Sequence, residues 1–130
     1  MNILLVDDHK PTRDEMRTLI ESQPGMYVIA EAGSGEEGVE RARELHPDVV
    51  IMDILMPGMN GVDATRVICT EQAGVKVLAL TNHFGESLVQ AILGAGGMGF
   101  VQKYHAFEEL IPALKSVAAG KTYFGKRAIN

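Results

Sequence analysis

Short apolar runs alternate with longer segments of helical periodicity along most of this chain. The runs hold few polar residues, which is typical of strands buried on both faces of a parallel sheet. They lie at residues 3–6, 27–30, 49–52, 75–80 and 99–102. The pattern therefore predicts five strands, of which the fifth is the weakest because only Phe100 and Val101 in it are large and apolar.

The segments between the runs predict five helices. Ser34 and Glu37 form an S-x-x-E capping box at the start of the second. In the fifth, an apolar stripe begins at Phe107, and Gly120 is the predicted C-cap. Pro112 lies inside this helix, and we expect it to bend the first turns because proline removes one backbone hydrogen bond. The helices are predicted at about residues 11–23, 35–46, 62–72, 86–95 and 107–119.

Strict alternation of strands and helices predicts an α/β fold with a parallel sheet and helices on both faces. In such sheets the functional crevice lies outside the carboxyl ends of the strands. The candidate functional residues are therefore the polar residues that directly follow each apolar run.

Acidic side chains follow two of the runs, and a hydroxyl and an amine follow two others. Asp7 and Asp8 end the first run, Asp53 the third, Thr81 the fourth and Lys103 the fifth. Converging carboxylates repel each other unless a cation lies among them, and Mg²⁺ prefers hard oxygen ligands and shares its sphere with phosphate. Alone, each residue is more commonly a turn aspartate, a helix cap or a solvated lysine. Together they favour a phosphoryl site, with Asp53 as the candidate nucleophile for an acyl phosphate.

The segments LLVDDH, DVVIMDILMPGMNG, VLALTN and GFVQK occur in this order, and the sequence resembles the receiver domain of two-component response regulators. The resemblance covers about residues 2–120, and we expect the domain to span residues 1–121. It implies a flavodoxin-like (βα)5 three-layer sandwich with a parallel sheet of order 2-1-3-4-5.

The resemblance also implies a role for each acidic residue. Asp53 is the expected phosphoacceptor. Mg²⁺ is expected to bind Asp7, Asp8, Asp53 and the backbone carbonyl of Leu55. Met56 lies in the loop after the phosphoacceptor, next to the site, and we expect its side chain to be partly exposed.

The last two strands are expected to carry the phosphoryl-stabilising and switch residues. Thr81 and Lys103 would hold the phosphoryl oxygens, and Phe100 is the aromatic residue whose rotamer follows Thr81 in the activated state. Asn82 stands where alanine is frequent in receivers and is expected to narrow access to the phosphoacceptor. Tyr104 stands where a proline with a cis bond is common. A non-proline cis bond costs roughly 2.5–4 kcal/mol, so we expect a trans peptide and a locally different loop.

Two segments of the chain, residues 81–83 and 114–120, resemble regulators with a LuxR/NarL-type helix-turn-helix output domain. This implies that residues 122–130 begin a linker to a C-terminal DNA-binding domain absent from this chain. The expected partners are a sensor histidine kinase, a second copy on phosphorylation, and DNA only through the absent domain. The alternative is a stand-alone receiver that acts by protein contact.

Composition and charge disfavour several other classes of protein. The 130 residues fit one domain, and 12 Lys and Arg against 17 Asp and Glu give a net charge of −5. Direct nucleic-acid binding is disfavoured because it needs a basic face. No apolar run reaches the roughly 18 residues of a membrane helix. The single cysteine, Cys69, cannot form an internal disulfide, which favours a cytoplasmic location.

A glycine motif at Gly33–Gly38 matches the G-x-G-x-x-G pattern of dinucleotide-binding proteins. However, Glu36 and Glu37 would repel a pyrophosphate, and the motif follows the second strand rather than the first. That second strand ends at Glu31, which we expect to lie away from the crevice because an open sheet usually has one strand beyond its switch point.

A phosphatase of the haloacid-dehalogenase type is the other alternative, since it also uses an aspartyl phosphate, Mg²⁺, a threonine and a lysine. Its nucleophile ends the first strand in a D-x-D pattern, whereas this strand ends in Asp7, Asp8 and His9. We therefore predict a phosphoacceptor signalling domain rather than an enzyme with turnover, and a small aspartyl-phosphate phosphatase as runner-up. His9 and His83 are expected to line the crevice.

Overall fold

A parallel sheet forms the centre of the computed structural model, which describes residues 1–82 and 85–125. Its strands are β1 (Asn2–Val6), β2 (Tyr27–Ala32), β3 (Val49–Asp53), β4 (Lys76–Thr81) and β5 (Gly99–Gln102). All neighbouring pairs are parallel, and the order is β2-β1-β3-β4-β5. This confirms the predicted strand order and the flavodoxin-like α/β class.

Helices follow the strands in alternation: α1 (Lys10–Glu21), α2 (Gly35–Leu45), α3 (Gly61–Glu71), α4 (Glu86–Gly94) and α5 (Ala106–Ala118). Ser34 caps α2, because its Oγ accepts a hydrogen bond from the N–H of Glu37 at 3.1 Å. The Glu37 carboxylate accepts from the N–H of Gly33 at 2.7 Å, so the glycine motif is a helix start. Within the described residues, no helix is both long enough and apolar enough to span a membrane.

The core lies in layers on both faces of the sheet because alternate strand residues point to opposite faces. On one face α1 and α5 cover side chains that include Leu5, Ile51 and Leu80. On the other face α2 and α3 cover Leu4, Val50 and Met52, among others. The three central strands β1, β3 and β4 are thus buried on both sides, which explains their continuous apolar sequences, whereas the edge strand β2 exposes Tyr27 and Ile29.

Helix α5 differs from its prediction at both ends. The helix starts one residue earlier than predicted, and Phe107 is 82% exposed because the face of α5 that packs on the sheet contains Ala106, Leu110 and Leu114. The C-cap is Ala119, and Gly120 follows it with a φ of +83°, a conformation that favours glycine. Pro112 lies within the assigned helix, which continues on both sides of it.

Residues after α5 pack against the edge strand β5. Tyr123 forms a parallel bridge with Gly99; its N–H donates to Met98 at 3.0 Å and its carbonyl accepts from Phe100 at 2.9 Å. The linker assignment for residues 122–130 remains a prediction, and residues 126–130 and His83 lie outside the described residues.

Candidate functional site

The carboxyl ends of β1, β3 and β4 bring the predicted acids and the threonine to one edge of the sheet. Val6 and Met52 are register partners in β1 and β3, so the residues that follow them, Asp7 and Asp53, lie side by side. Both acids and Thr81 are at most 2% exposed, whereas Asp8 is exposed. One carboxylate oxygen from each of Asp7, Asp8 and Asp53 lies within 4.8 Å of the other two.

Lys103 connects the two buried acids. Its Nζ lies 3.1 Å from Oδ2 of Asp7 and 3.2 Å from Oδ2 of Asp53. The lysine directly follows β5 and begins a short 3-10 turn, Lys103–His105, that leads into α5. The end of the fifth strand therefore brings a positive charge to the acids, as the positions in the sequence predicted.

Burial and neighbouring charge shift the pKa values of this pair. Burial and then the charge of Asp7 raise the pKa of Asp53 to about 6, although Lys103 acts in the opposite direction. Burial lowers the pKa of Lys103, but Asp53 and Asp7 together outweigh it and the pKa lies above the usual value. At neutral pH Asp53 is thus largely ionised and Lys103 is protonated.

The arrangement of the carboxylate oxygens fits a divalent cation. Oδ1 of Asp7 accepts from the N–H of His9 at 2.8 Å, and Oδ1 of Asp53 accepts from the N–H of Leu55 at 3.3 Å. Oδ2 of Asp7 is buried, and among the described residues its contact is the ion pair with Nζ of Lys103. Converging carboxylate oxygens, two of them from buried acids, suit Mg²⁺, which prefers hard oxygen donors.

The loop between β3 and α3 folds closely over Asp53. The N–H of Gly61 donates to the carbonyl of Ile54 at 2.9 Å. A Cβ at Gly61 would collide with the carbonyl of Asp53 and would lie 2.7 Å from Cα of Ile54, so the loop requires glycine here. Within the loop Leu55 is 57% exposed, but Met56 is only 8% exposed. The expectation of a partly exposed Met56 is wrong, because its side chain packs into the core under α2 and α3.

A cleft of about 470 Å³ is lined by residues that include His9, Asn82, Lys103 and Tyr104. His9 and Asn82 therefore share a cleft with the lysine that contacts both acids, and a narrowing of access to Asp53 by Asn82 stays a prediction. The part of the chain described here contains no cis peptide bond, so Lys103 and Tyr104 are joined in trans. The chain forms a 3-10 turn at Lys103–His105 after β5; a loop different from that of receivers with a cis-proline stays a prediction.

Phe100 lies next to the end of β4, on the face of the sheet to which Thr81 points. It is 3% exposed and packs with Ile54, Ala79 and Ile92. Ala79 is its register partner, and Thr81 follows two residues later and so shares the face of Ala79. The two expected switch residues are therefore diagonal neighbours.

An arginine pair beside the acids was missed from the sequence. Arg13 in α1 donates from NH1 to the carbonyl of Asp7 at 2.6 Å and from Nε to Glu31 at 2.8 Å. Arg17 holds the other oxygen of Glu31, with Nε at 2.8 Å. Burial raises the pKa of Glu31, but the hydrogen bonds and charges of Arg17 and Arg13 outweigh it and leave the pKa below its usual value. The sequence pattern that could have indicated this pair is two arginines four residues apart in the first predicted helix, followed by an acid near the end of the second predicted strand.

Comparison with known proteins identifies the family. Residues 3–115 match the family model described as the response regulator receiver domain. The response regulator UvrY of Escherichia coli (strain K12) is 40% identical over 123 residues, 95% of this chain and 56% of UvrY. The transcriptional regulatory protein LiaR of Bacillus subtilis (strain 168) is 36% identical over 121 residues, 93% of this chain and 57% of LiaR. The chain thus spans little more than half the length of these relatives.

Solved structures show the same relationship. A two-component response regulator of the LuxR family from Aurantimonas sp. SI85-9A1 superposes with a TM-score of 0.95 and 36% identity, covering 98% of this chain and 91% of that one. The response regulator domain of Thermotoga maritima CheB has a TM-score of 0.80 and 33% identity, covering 92% and 94% of the two chains. Its sequence, its sheet order and these relatives together show that this chain belongs to the response regulator receiver domain family.

Proposed function

We propose that Asp53 accepts a phosphoryl group from a phosphohistidine of a sensor histidine kinase in the cytoplasm. An oxygen of Asp53 attacks the phosphorus in line, the bond between phosphorus and the histidine nitrogen breaks, and its electron pair returns to the imidazole. The observation that carries this proposal is the contact of Lys103 with both Asp53 and Asp7, which places a cation beside a buried carboxylate at a crevice.

The neighbouring residues have distinct roles in this proposal. Lys103 and the hydroxyl of Thr81 hold the phosphoryl oxygens, which carry negative charge in the transition state. Asp7, Asp8, Asp53 and the carbonyl of Leu55 would hold Mg²⁺, which when bound supplies positive charge to the transferring group. The acyl phosphate then makes the domain a signalling phosphoacceptor rather than an enzyme with turnover.

Phosphorylation would change the balance between two conformations of the domain. A phosphoryl group adds about −1.5 to −2 charges near neutral pH. That charge draws Thr81 towards Asp53. The space that Thr81 leaves changes the preferred rotamer of Phe100. The surface formed by α4, β5 and α5 then changes, which is a population shift that favours dimerisation or release of an output domain.

The output of the full-length protein is transcription control in this proposal, through a C-terminal DNA-binding domain that follows residues 122–130. Support comes from LiaR, which is named a transcriptional regulatory protein, and from the share of about half that this chain covers in its relatives. The natural reading frame tests this point: a helix-turn-helix downstream of Asn130 is the expected result, and a stop codon there favours the stand-alone alternative.

The phosphoacceptor is tested by intact-mass spectrometry after incubation with acetyl phosphate and Mg²⁺. The wild-type domain should gain one phosphoryl group, and Asp53→Asn should gain none. Asp63→Asn is the matched control, because Asp63 is an exposed acid in the first turn of α3 and should not affect the gain. A phosphoryl gain in Asp53→Asn equal to that of wild type would overturn the assignment.

A turnover assay separates this function from that of a phosphatase. With a phosphate monoester in large excess, the receiver should release no more phosphate than one equivalent per chain. Repeated turnover abolished by Asp53→Asn would instead support the phosphatase. Mg²⁺ titration followed by NMR should shift the amide signals of Asp8 and Asp53, and an unchanged spectrum at millimolar Mg²⁺ would count against the metal site.

A further inference from the structure

We propose that Arg13 is a positioning residue for the acid pair, because it ties the peptide between Asp7 and Asp8 to Glu31 at the end of the neighbouring strand. The inference rests on the proposed Mg²⁺-dependent phosphoryl transfer. It assigns to this arginine the task of holding the turn after β1 in the shape that binds the cation.

Arg13 connects the turn after β1 with the end of β2, which are separated along the chain by α1 and most of β2. Its side chain is 16% exposed, so the guanidinium lies largely inside the structure. NH1 donates to the carbonyl oxygen of Asp7 at 2.6 Å, and Nε donates to Glu31 at 2.8 Å. Because a guanidinium is planar, its two donors fix the Asp7 carbonyl relative to β2.

The Asp7 carbonyl matters because it belongs to the peptide that leads into Asp8. The other groups of Asp7 are already held: its N–H donates to Ala32 at 3.0 Å and its Oδ1 accepts from His9. Among the described residues no hydrogen bond or ion pair holds the side chain of Asp8. The preceding peptide plane, which Arg13 holds through the Asp7 carbonyl, therefore sets the direction of the Cα–Cβ bond from which the Asp8 carboxylate extends.

The charge of Arg13 and its positioning role have opposite effects on Mg²⁺ affinity. A guanidinium close to a cation site repels the cation, so its removal should strengthen Mg²⁺ binding if Arg13 acted only through charge. Positioning predicts that removal weakens Mg²⁺ binding, because the carboxylates no longer converge. The sign of the change in affinity therefore separates the two effects.

Arg17 provides a matched control within the same helix. It lies one turn further along α1 and holds the second oxygen of Glu31, with NH2 at 2.7 Å. Its NH1 donates to the carbonyl of Val28 in β2 at 3.2 Å and lies 3.5 Å from the carboxylate of Glu21. Truncation of either arginine removes one positive charge and part of the Glu31 ion pair, but only truncation of Arg13 frees the Asp7 carbonyl.

The test is the Mg²⁺ dissociation constant of wild type, Arg13→Ala, Arg13→Lys and Arg17→Ala, measured by NMR titration at a temperature where each variant is folded. Residues that orient metal ligands typically change metal affinity by about 10–100-fold. We expect Arg13→Ala to weaken binding by about 10-fold and Arg17→Ala to leave it nearly unchanged. Arg13→Lys should recover part of the loss, since an ammonium can still donate to the Asp7 carbonyl, and it provides a folded variant if alanine is not tolerated.

Phosphorylation kinetics give a second readout that a loss of stability alone would not produce. With acetyl phosphate, Arg13→Ala should need more Mg²⁺ for half-maximal rate, and its rate at saturating Mg²⁺ should approach that of wild type. Equal or tighter Mg²⁺ binding in Arg13→Ala, or an equal loss in Arg17→Ala, overturns the positioning role while the proposed function stands. A wild-type domain that binds no Mg²⁺ overturns both.

Discussion

The rings of Phe100 and Phe124 pack against each other, with centroids 6.2 Å apart and planes tilted by 48°. The N–H of Phe100 also donates to the carbonyl of Tyr123, at 2.9 Å. Phe124 lies against the same apolar cluster as Phe100, which also holds Ile54 and Ile92. The segment after α5 and the proposed switch residue therefore share one packing unit, and a rotamer change of Phe100 would disturb both.

Replacement of Phe124 by alanine should destabilise the domain because this packing is lost. An aromatic pair contributes about 0.5–1.5 kcal/mol beyond the area it buries, and the ring is only partly buried, so we expect a loss of about 1–2 kcal/mol in the free energy of unfolding. Urea unfolding measures it. Phe107→Ala is the control, since that ring is 82% exposed and should contribute little. Equal effects of the two substitutions would contradict the packing role.

Gly61→Ala should distort the loop that follows Asp53. The added methyl group would meet the carbonyl of Asp53 and Cα of Ile54, which are backbone atoms that cannot rotate away. We expect a loss of about 1–3 kcal/mol in the free energy of unfolding. Gly74→Ala has no atom within 4 Å of the added group and should be neutral or slightly stabilising. Thermal unfolding of both variants compares them, and a neutral Gly61→Ala would show that the loop can shift freely.

The strands of the sheet could be predicted from the sequence because strands buried on both faces are continuous apolar runs. The runs that contain Leu5, Ile51 and Leu80 are continuous because helices cover both sides of the sheet. The residues after those strands could be placed together since parallel strands end at one edge. Asp7, Asp53 and Lys103 were therefore predictable as neighbours without any tertiary information.

Features set by single tertiary contacts could not be predicted in this way. The contact of Arg13 with the Asp7 carbonyl depends on how α1 lies across β1 and β2, which hydrophobic periodicity does not specify. Met56 follows an exposed Leu55, yet it turns into the core. Phe107 matches a helical stripe by spacing, but the face of α5 that packs on the sheet runs through Ala106 and Leu110 and leaves Phe107 outside. Whether such a side chain is buried or exposed depends on the local conformation of one loop or on the rotation of one helix about its axis.

Asp53→Asn should stabilise the domain in the presence of EDTA at neutral pH. The folded-state pKa of Asp53 is raised from 3.8 to about 6, so the folded state holds this proton more tightly than the unfolded state. Stability therefore falls as the pH rises from about 4 through 6. At about 1.4 kcal/mol per pKa unit, partly offset by solvent relaxation, we expect a gain of about 1–3 kcal/mol at pH 8.

The pH and Mg²⁺ dependence of that gain are its controls. Urea unfolding at pH 4 should show a smaller difference between Asp53→Asn and wild type, since Asp53 is then largely protonated in the folded state. Addition of Mg²⁺ should stabilise wild type but not the variant, because a ligand that binds only the folded state raises its stability. A variant that is less stable than wild type at pH 8 in EDTA would contradict a net cost of the Asp53 charge in the folded state.

Glu31→Ala should destabilise the domain at neutral pH by about 1–3 kcal/mol, because hydrogen bonds to charged groups are among the stronger ones and the two arginines would be left facing each other. Glu71→Ala is the control, since Glu71 forms an exposed bidentate pair with Arg43 and should contribute less to stability.

The pKa of Glu31 is lowered, so its contribution to stability is present above the usual pKa of 4.5 and is lost as the pH falls below it. The difference in unfolding free energy between Glu31→Ala and wild type should therefore be smaller at pH 3.5 than at pH 7. A difference that persists undiminished at pH 3.5 would show that packing, rather than the ion pairs with Arg13 and Arg17, accounts for the effect.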